Sequence, residues 1–268
     1  MVHSNELDGC AIYLLRCPIS LPSIQLTLTA GSIRDMIRKT LIVAASALVL
    51  AACSPTARYS SKDPQRGLVT QASDTANKGA RYNAPVLLRI IKETKQLELW
   101  KQDSDNSWTK IKSYEICAFS GQPGPKKKQG DYQAPEGFYE ITASQLNPFS
   151  SQHLALNTGF PNKYDQAHFY SGAALMIHGG CSSAGCYAMT DPNIEEIYAA
   201  VRDAIKGGQK SVQLQIYPFS MDWLNMFAYR NDPNYKFWTE LKAGWDWFEK
   251  NKQPIPVDIR DGKYYIKS

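Results

Sequence analysis

A thiol, an imidazole and a run of small residues lie close together between Ala173 and Pro192, in AALMIHGGCSSAGCYAMTDP. Thiol acyl transfer asks for a base near the sulfur, donors for a developing oxyanion, and a backbone tight enough to expose the nucleophile. Cys186 follows Gly185 and stands four or five residues before a helix start. His178 precedes it by eight residues, at the end of an apolar run. The small residues from Gly179 to Gly185 allow a sharp loop that brings imidazole and sulfur together and leaves backbone N–H groups free to point inward. A free thiol, with a pKa of about 8.5, is only a few per cent thiolate at neutral pH, and pairing with imidazole raises that share.

Other readings of the same residues stand beside this one. His178 and Cys186 also suit a satisfied strand-end imidazole and a small core thiol. His178, Cys181 and Cys186 offer zinc-type ligands, although no second Cys/His group has the spacing to complete a shell. Cys181 and Cys186 are also close enough in sequence for a disulfide, which would silence the nucleophile.

The elements that must hold these residues follow from pattern. Ala173–Ile177 reads as a buried strand delivering His178 at its C-terminal end. Thr190-Asp191-Pro192 opens the clearest helix, with an N-cap hydroxyl or carboxylate, Pro in the first turn, and Glu195 and Glu196 near the positive dipole end. Ile194, Ile197, Val201 and Ile205 recur at helical spacing, Gly207-Gly208 ends the helix, and Val212–Tyr217 returns as a strand. Upstream, Val86–Ile91 and Gln96–Trp100 read as strands joined by a turn at Lys92–Lys95, followed by Trp108–Cys117 and Phe138–Thr142. Between them runs a polar loop, Ser120 to Gly137, in which Lys126–Lys128 form a solvated basic run suited to carboxylates. Asp131 and Glu136 are a candidate acidic pair, with Pro135 and Gly137 pointing instead to turn construction, and His153 and His168 have no evident partner. From Met221 to Lys250 the chain is aromatic and helical in pattern. Trp238, Leu241, Trp245 and Phe248 share one helix face, suited to docking on a sheet or to stacking on sugars.

The N-terminal region carries a different signal. The longest apolar run, Leu41–Ala52, is too short for the roughly 18–20 residues of a membrane-spanning helix. It follows the basic Arg38-Lys39 and ends at Leu50-Ala51-Ala52-Cys53, the pattern of a secretory signal peptide closing on a bacterial lipobox. Residues 1–52 are therefore expected to comprise a signal peptide starting at Met36, preceded by a misassigned extension. Cys53 would be lipidated, and several acyl chains there would anchor the protein stably to a membrane. Residues 53–84 read as a flexible tether, since they hold few large apolar residues and no period. The expected location is membrane-anchored and periplasm-facing, where thiols meet an oxidising environment.

Composition narrows the rest. The 268 residues are 43% hydrophobic and 21% charged, which is globular composition and excludes wholesale disorder. A net charge of +5, dispersed along the chain, is too thin for a nucleic-acid footprint. Six cysteines in so long a chain do not make a disulfide scaffold.

The segment from about Pro85 to Ile266 resembles the YkuD-type L,D-transpeptidase catalytic domain family, most closely its YafK-like branch. The resemblance rests on His178-Gly179 followed by Ser183-Ala184-Gly185-Cys186, on Gly124 through Asp131, on Ala134 through Tyr139, and on Gly185 through Asp191. It implies a mostly β fold with a few helices (α+β), here with a C-terminal helical extension, so that residues 85–268 form the catalytic domain. It further implies that Cys186 is the nucleophile and His178 the base, acting on peptidoglycan stem peptides with no cofactor and no metal. Gly179, Gly185 and Tyr187 would support the loop and oxyanion, while Lys127, Lys128 and Ser183 would contact substrate. Ala184 and Ala188 stand where most of the wider family has histidine and arginine. The YafK-like branch shares such changes, and the resemblance implies that it includes a hydrolase detaching an anchored lipoprotein from peptidoglycan. Transpeptidation and hydrolytic release, the latter with a wall-linked lipoprotein as partner, are both expected chemistries, with hydrolysis favoured. A non-catalytic wall-binding lipoprotein is the alternative.

Overall fold

A computed structural model of the chain describes residues 82–267; the signal peptide, the Met36 start, lipidation at Cys53 and nearly all of the tether lie outside the described residues. Strand β1 (Val86–Ile91) pairs antiparallel with β2 (Gln96–Gln102), and β3 (Trp108–Glu115) continues the meander. After β4 (Ala118–Phe119) and the long polar loop come β5 (Gly137–Ile141), β6 (Leu146–Ser150) and β7 (His153–Asn157). The short helix α1 (Lys163–Ala167) leads to β8 (Met176–His178), β9 (Tyr187–Ala188), helix α2 (Asp191–Lys206) and β10 (Val212–Tyr217). One sheet has the order β3-β2-β1-β10-β5 and the other β4-β9-β8-β7-β6. The mostly β, α+β class expected from the sequence is the class observed.

All six residues of β1 are buried. Successive side chains of a strand point to opposite faces, so this sheet is covered on both sides. Val86, Leu88 and Ile90 belong to a core shared with Ile194, Ile197 and Val201 of α2 and with Ile177 and Tyr187 of the second sheet. Each such fully buried aliphatic side chain contributes about 1.5–3 kcal/mol of transfer free energy. Leu87, Phe138 and Tyr217 face the opposite way, into an aromatic core built by the C-terminal addition. Arg89 also lies on this side. Its charge is met by Glu98 at 2.7 Å and Glu249 at 2.6 Å.

The C-terminal addition differs in detail from one aromatic helix. It forms α3 (Trp223–Ala228), capped by Asp222 through the Asn225 N–H, and then α4 (Tyr235–Asn251). Pro233 lies in the break, where its ring and missing N–H disfavour a continuous helix. The addition ends in a hairpin, β11 (Val257–Arg260) with β12 (Lys263–Ile266), so it is not purely helical. Trp238, Leu241 and Phe248 are fully buried, which makes their stripe a docking face and leaves it no role in stacking on sugars.

Candidate active site

The second sheet sets the spacing of thiol and imidazole. β8 and β9 run parallel, with Ile177 beside Tyr187 and His178 beside Ala188. Cys186 immediately precedes β9 and lies beside Met176, at the start of the strand that ends in His178. The strand delivering His178 is shorter than Ala173–Ile177 suggests. Ala174 takes φ +55°, which ends the extended run before Met176. That bend turns Ala174 O toward the Cys186 sulfur at 3.7 Å, and the Met176 N–H donates to the sulfur at 3.4 Å. Cys186 is a free, half-buried thiol.

His178 is buried, and its Nδ1 lies 2.6 Å from Gly179 O. A carbonyl oxygen only accepts, so Nδ1 carries the proton of the neutral ring. The lone pair is then on Nε2, the tautomer a general base requires.

The connecting loop is pinned along its length. A Cβ on Gly179 would stand 2.5 Å from Asp191 Oδ1 and 2.7 Å from Gln152 O, so only glycine fits there. Met189 N–H donates to His178 O at 2.7 Å, and Thr190 N–H to Gly180 O at 2.8 Å. Thr190 does not cap α2 with its side chain; Asp191 instead accepts from the Gly180 N–H at 2.8 Å, tying helix to loop. Ser183 Oγ donates to Cys186 O at 2.7 Å, which makes it a loop brace. Gly185 has φ +109°, a conformation favouring glycine, directly before Cys186. Tyr187 is fully buried, and its hydroxyl donates to Pro135 O at 2.7 Å.

Cys181 is not bonded to Cys186. It forms a disulfide with Cys117, with Cα atoms 5.3 Å apart. The pairing of β4 with β9 explains this, because it brings the end of the β3–β4 connection alongside the nucleophile loop. A half-cystine offers no thiolate to zinc, and among the described residues no cluster of His, Cys, Asp and Glu suits a metal.

The polar loop is less solvated than its composition suggests. Lys126 is buried and paired with Asp131 at 2.5 Å, so it is not a surface charge. Burial raises the Asp131 carboxyl, but Lys126 and the N–H groups of Lys128, Lys127 and Gln133 bring it down to about 2. Lys127 reaches Asn234 Oδ1 at 3.2 Å, and Lys127 and Lys128 are both exposed. Asp131 and Glu136 are not an acidic pair. Glu136 is buried and accepts from Lys92 Nζ at 2.8 Å, Gly124 N–H at 2.6 Å and Trp238 Nε1 at 2.9 Å. Lys92 also donates to Gln122 O, Gly124 O and Ala134 O. Nothing in the Lys92–Lys95 turn pattern announced this knot. The remaining histidines have partners as well: His153 Nε2 meets Glu195 at 2.7 Å, and His168 Nδ1 meets Tyr164 O at 2.9 Å.

Residues 85–214 match the model of the L,D-transpeptidase catalytic domain named YkuD. YafK of Escherichia coli (strain K12), a protein named for an inferred L,D-transpeptidase activity, is 42% identical over 205 residues, covering 75% of this chain and 83% of that protein. The same identity and coverage are found with YafK of Escherichia coli O157:H7. Among solved structures, the helical cell shape determining protein Pgp2 from Campylobacter jejuni matches with a TM-score of 0.41 and 18% identity, over 67% of this chain and 74% of that one. Bd1075 of Bdellovibrio bacteriovorus matches with a TM-score of 0.35 and 17% identity, over 63% of this chain and 59% of that one.

Proposed function

The chain belongs to the L,D-transpeptidase catalytic domain family, and from that premise we propose that it is a cysteine acyl-transferase acting on peptidoglycan stem peptides. His178 Nε2 takes the proton from Cys186 Sγ as the sulfur attacks the carbonyl carbon of a stem-peptide amide. The carbonyl oxygen becomes an oxyanion beside the backbone N–H groups around Gly185 and Cys186. The imidazolium returns the proton to the leaving amine, the C–N bond breaks, and a thioester remains on Cys186. Water or a second amine then attacks the thioester, passes its proton to His178 and restores the thiol. Water makes the protein an amidase and an amine makes it a transpeptidase. The substitutions Ala184 and Ala188 favour the hydrolytic outcome, with release of a wall-linked lipoprotein as the physiological reaction.

The observation that carries this reading is the free Cys186 thiol beside Met176 of the strand that ends in His178, whose Nδ1 is committed to Gly179 O. The Cys117–Cys181 disulfide supports the extracytoplasmic setting proposed with a lipid anchor on Cys53. Intact-protein mass spectrometry with defined muropeptides tests the mechanism. Substrates should include a donor tetrapeptide with a free amine and a stem linked to a short lipoprotein peptide. A thioester adduct and released product are expected for the wild type, and neither for Cys186→Ala. Wild-type turnover by Cys186→Ala refutes the thiol mechanism, and binding without any adduct favours a wall-binding protein.

A further inference from the structure

The C-terminal addition forms a second cavity beyond the polar loop. It has a volume of about 250 Å³, that of about eight water molecules in the liquid. His168 and Tyr170, after α1, form one wall; Lys236 and Glu240 of α4 form another; Asp261 and Lys263 at the hairpin turn form the third. Pro125, Lys127 and Asn234 separate it from a cleft of about 480 Å³ that also includes Lys128, Asp131 and Gln133. Gln133 O lies 3.5 Å from where a Cβ on Gly185 would stand. The two depressions thus adjoin through a shared wall, and Lys127 O in that wall accepts from the N–H of Ser171, next to Tyr170.

The lining specifies a ligand class. The rings of His168 and Tyr170 lie 5.5 Å apart, and His168 stacks at 4.2 Å on Tyr164, which in turn stacks at 4.4 Å on Tyr264. Tyr164 and Tyr264 are buried, so the platform is braced from below. Three lysines, Lys127, Lys236 and Lys263, are mixed with the carboxylates of Glu240 and Asp261 around the cavity, an arrangement that suits neither a polyanion nor a polycation. Glu240 is held at the rim by the Tyr264 N–H, which donates to its Oε2 at 3.0 Å. Ring faces for apolar C–H surfaces, with donors and acceptors at the rim, match a neutral polyhydroxylated ring.

We propose that this cavity is a subsite for an N-acetylated amino sugar of the glycan strand, occupied while the attached stem peptide reaches Cys186. The proposal rests on the peptidoglycan reading above. It is tested on the full-length protein in detergent with two substrates, a stem peptide carrying its disaccharide and the same peptide without sugar. The sugar-bearing substrate should have a roughly 10-fold higher kcat/KM through a lower KM. Tyr170→Ala and the surface variant Lys236→Ala should bring that ratio close to one. Equal kcat/KM for both substrates in the wild type overturns the subsite, as does an unchanged ratio in both variants. Turnover of neither substrate removes the catalytic reading instead. Saturation-transfer NMR with N,N′-diacetylchitobiose then decides the subsite by itself: binding to wild type that is lost in Tyr170→Ala upholds it, and no binding to wild type refutes it.

Discussion

Removing the Cys117–Cys181 crosslink tests how the nucleophile loop is held. The bond joins residues 64 apart in sequence. In the chain-entropy treatment, a closed loop of that length restricts the unfolded chain by about 4 kcal/mol. For a domain of this size each kcal/mol moves Tm by about 2–4 °C, so the expected fall is roughly 8–16 °C. The double variant Cys117→Ser/Cys181→Ser is the right perturbation, because a single change leaves an orphan thiol beside Cys186. Thermal unfolding followed by circular dichroism, with and without dithiothreitol, reads the effect. Reductant should lower the wild-type Tm toward that of the double variant and leave the double variant unmoved. It should also lower activity, since Cys181 lies in the loop that places Cys186; a Cys181–Cys186 bond would make reductant raise activity. A Tm change below about 3 °C, with the bond verified by mass in the wild type, would refute the argument.

His178→Ala should reduce turnover by about 10²–10⁴-fold while the protein stays folded, with a fall in Tm for the buried ring it removes, and adding Cys186→Ala should cost little more than Cys186→Ala alone, since the pair acts as a unit. Gly179→Ala drives a methyl group into Asp191 and the Gln152 carbonyl, so it should lower both Tm and turnover. Lys92→Met strands the buried Glu136 without its counter-ion; urea unfolding should show a loss of about 3–5 kcal/mol. Burial pushes the Asp165 carboxyl from 3.8 up to about 7, against hydrogen bonds from the Asn162 N–H and Tyr139 hydroxyl. The folded chain thus binds a proton that the unfolded chain has released, and this group makes stability fall from about pH 4 to about pH 7. Asp165→Asn should flatten that decline in urea midpoints measured across the range.

The strands around β1 and β10 and the helix α2 were legible because their apolar spacing is dictated by the faces they bury. The strand end at His178 and the glycine turn before Cys186 were legible because both are local features. Long-range pairings were not. Cys117 looked like the end of a strand, and its bond to Cys181 depends on β4 lying next to β9, which no local pattern encodes. Lys126 read as one of three solvated lysines, but the loop folds its ammonium onto Asp131. The strands β6 and β7 also escaped notice, because only Ala155 and Leu156 among their residues are buried and β6 shows no clean alternation.

Lys92 has a consequence for how this domain could diversify. Its ammonium holds Gln122 and Gly124 on one side and Ala134 and Glu136 on the other. The polar loop therefore leaves and returns to the same atom, like a ring hung from one hook. Residues 125–133 form the interior of the ring, and the carboxylate of Asp131 organises them separately. Pro135, whose carbonyl accepts from the Tyr187 hydroxyl, stands at the foot of the ring between the Lys92 bonds to Ala134 and Glu136. The interior still touches the site, since Lys127 O accepts from the Ser171 N–H and Gln133 O packs near Gly185. Grafting a different interior between Gly124 and Ala134 would therefore alter both what approaches the thiol and how its loop is braced.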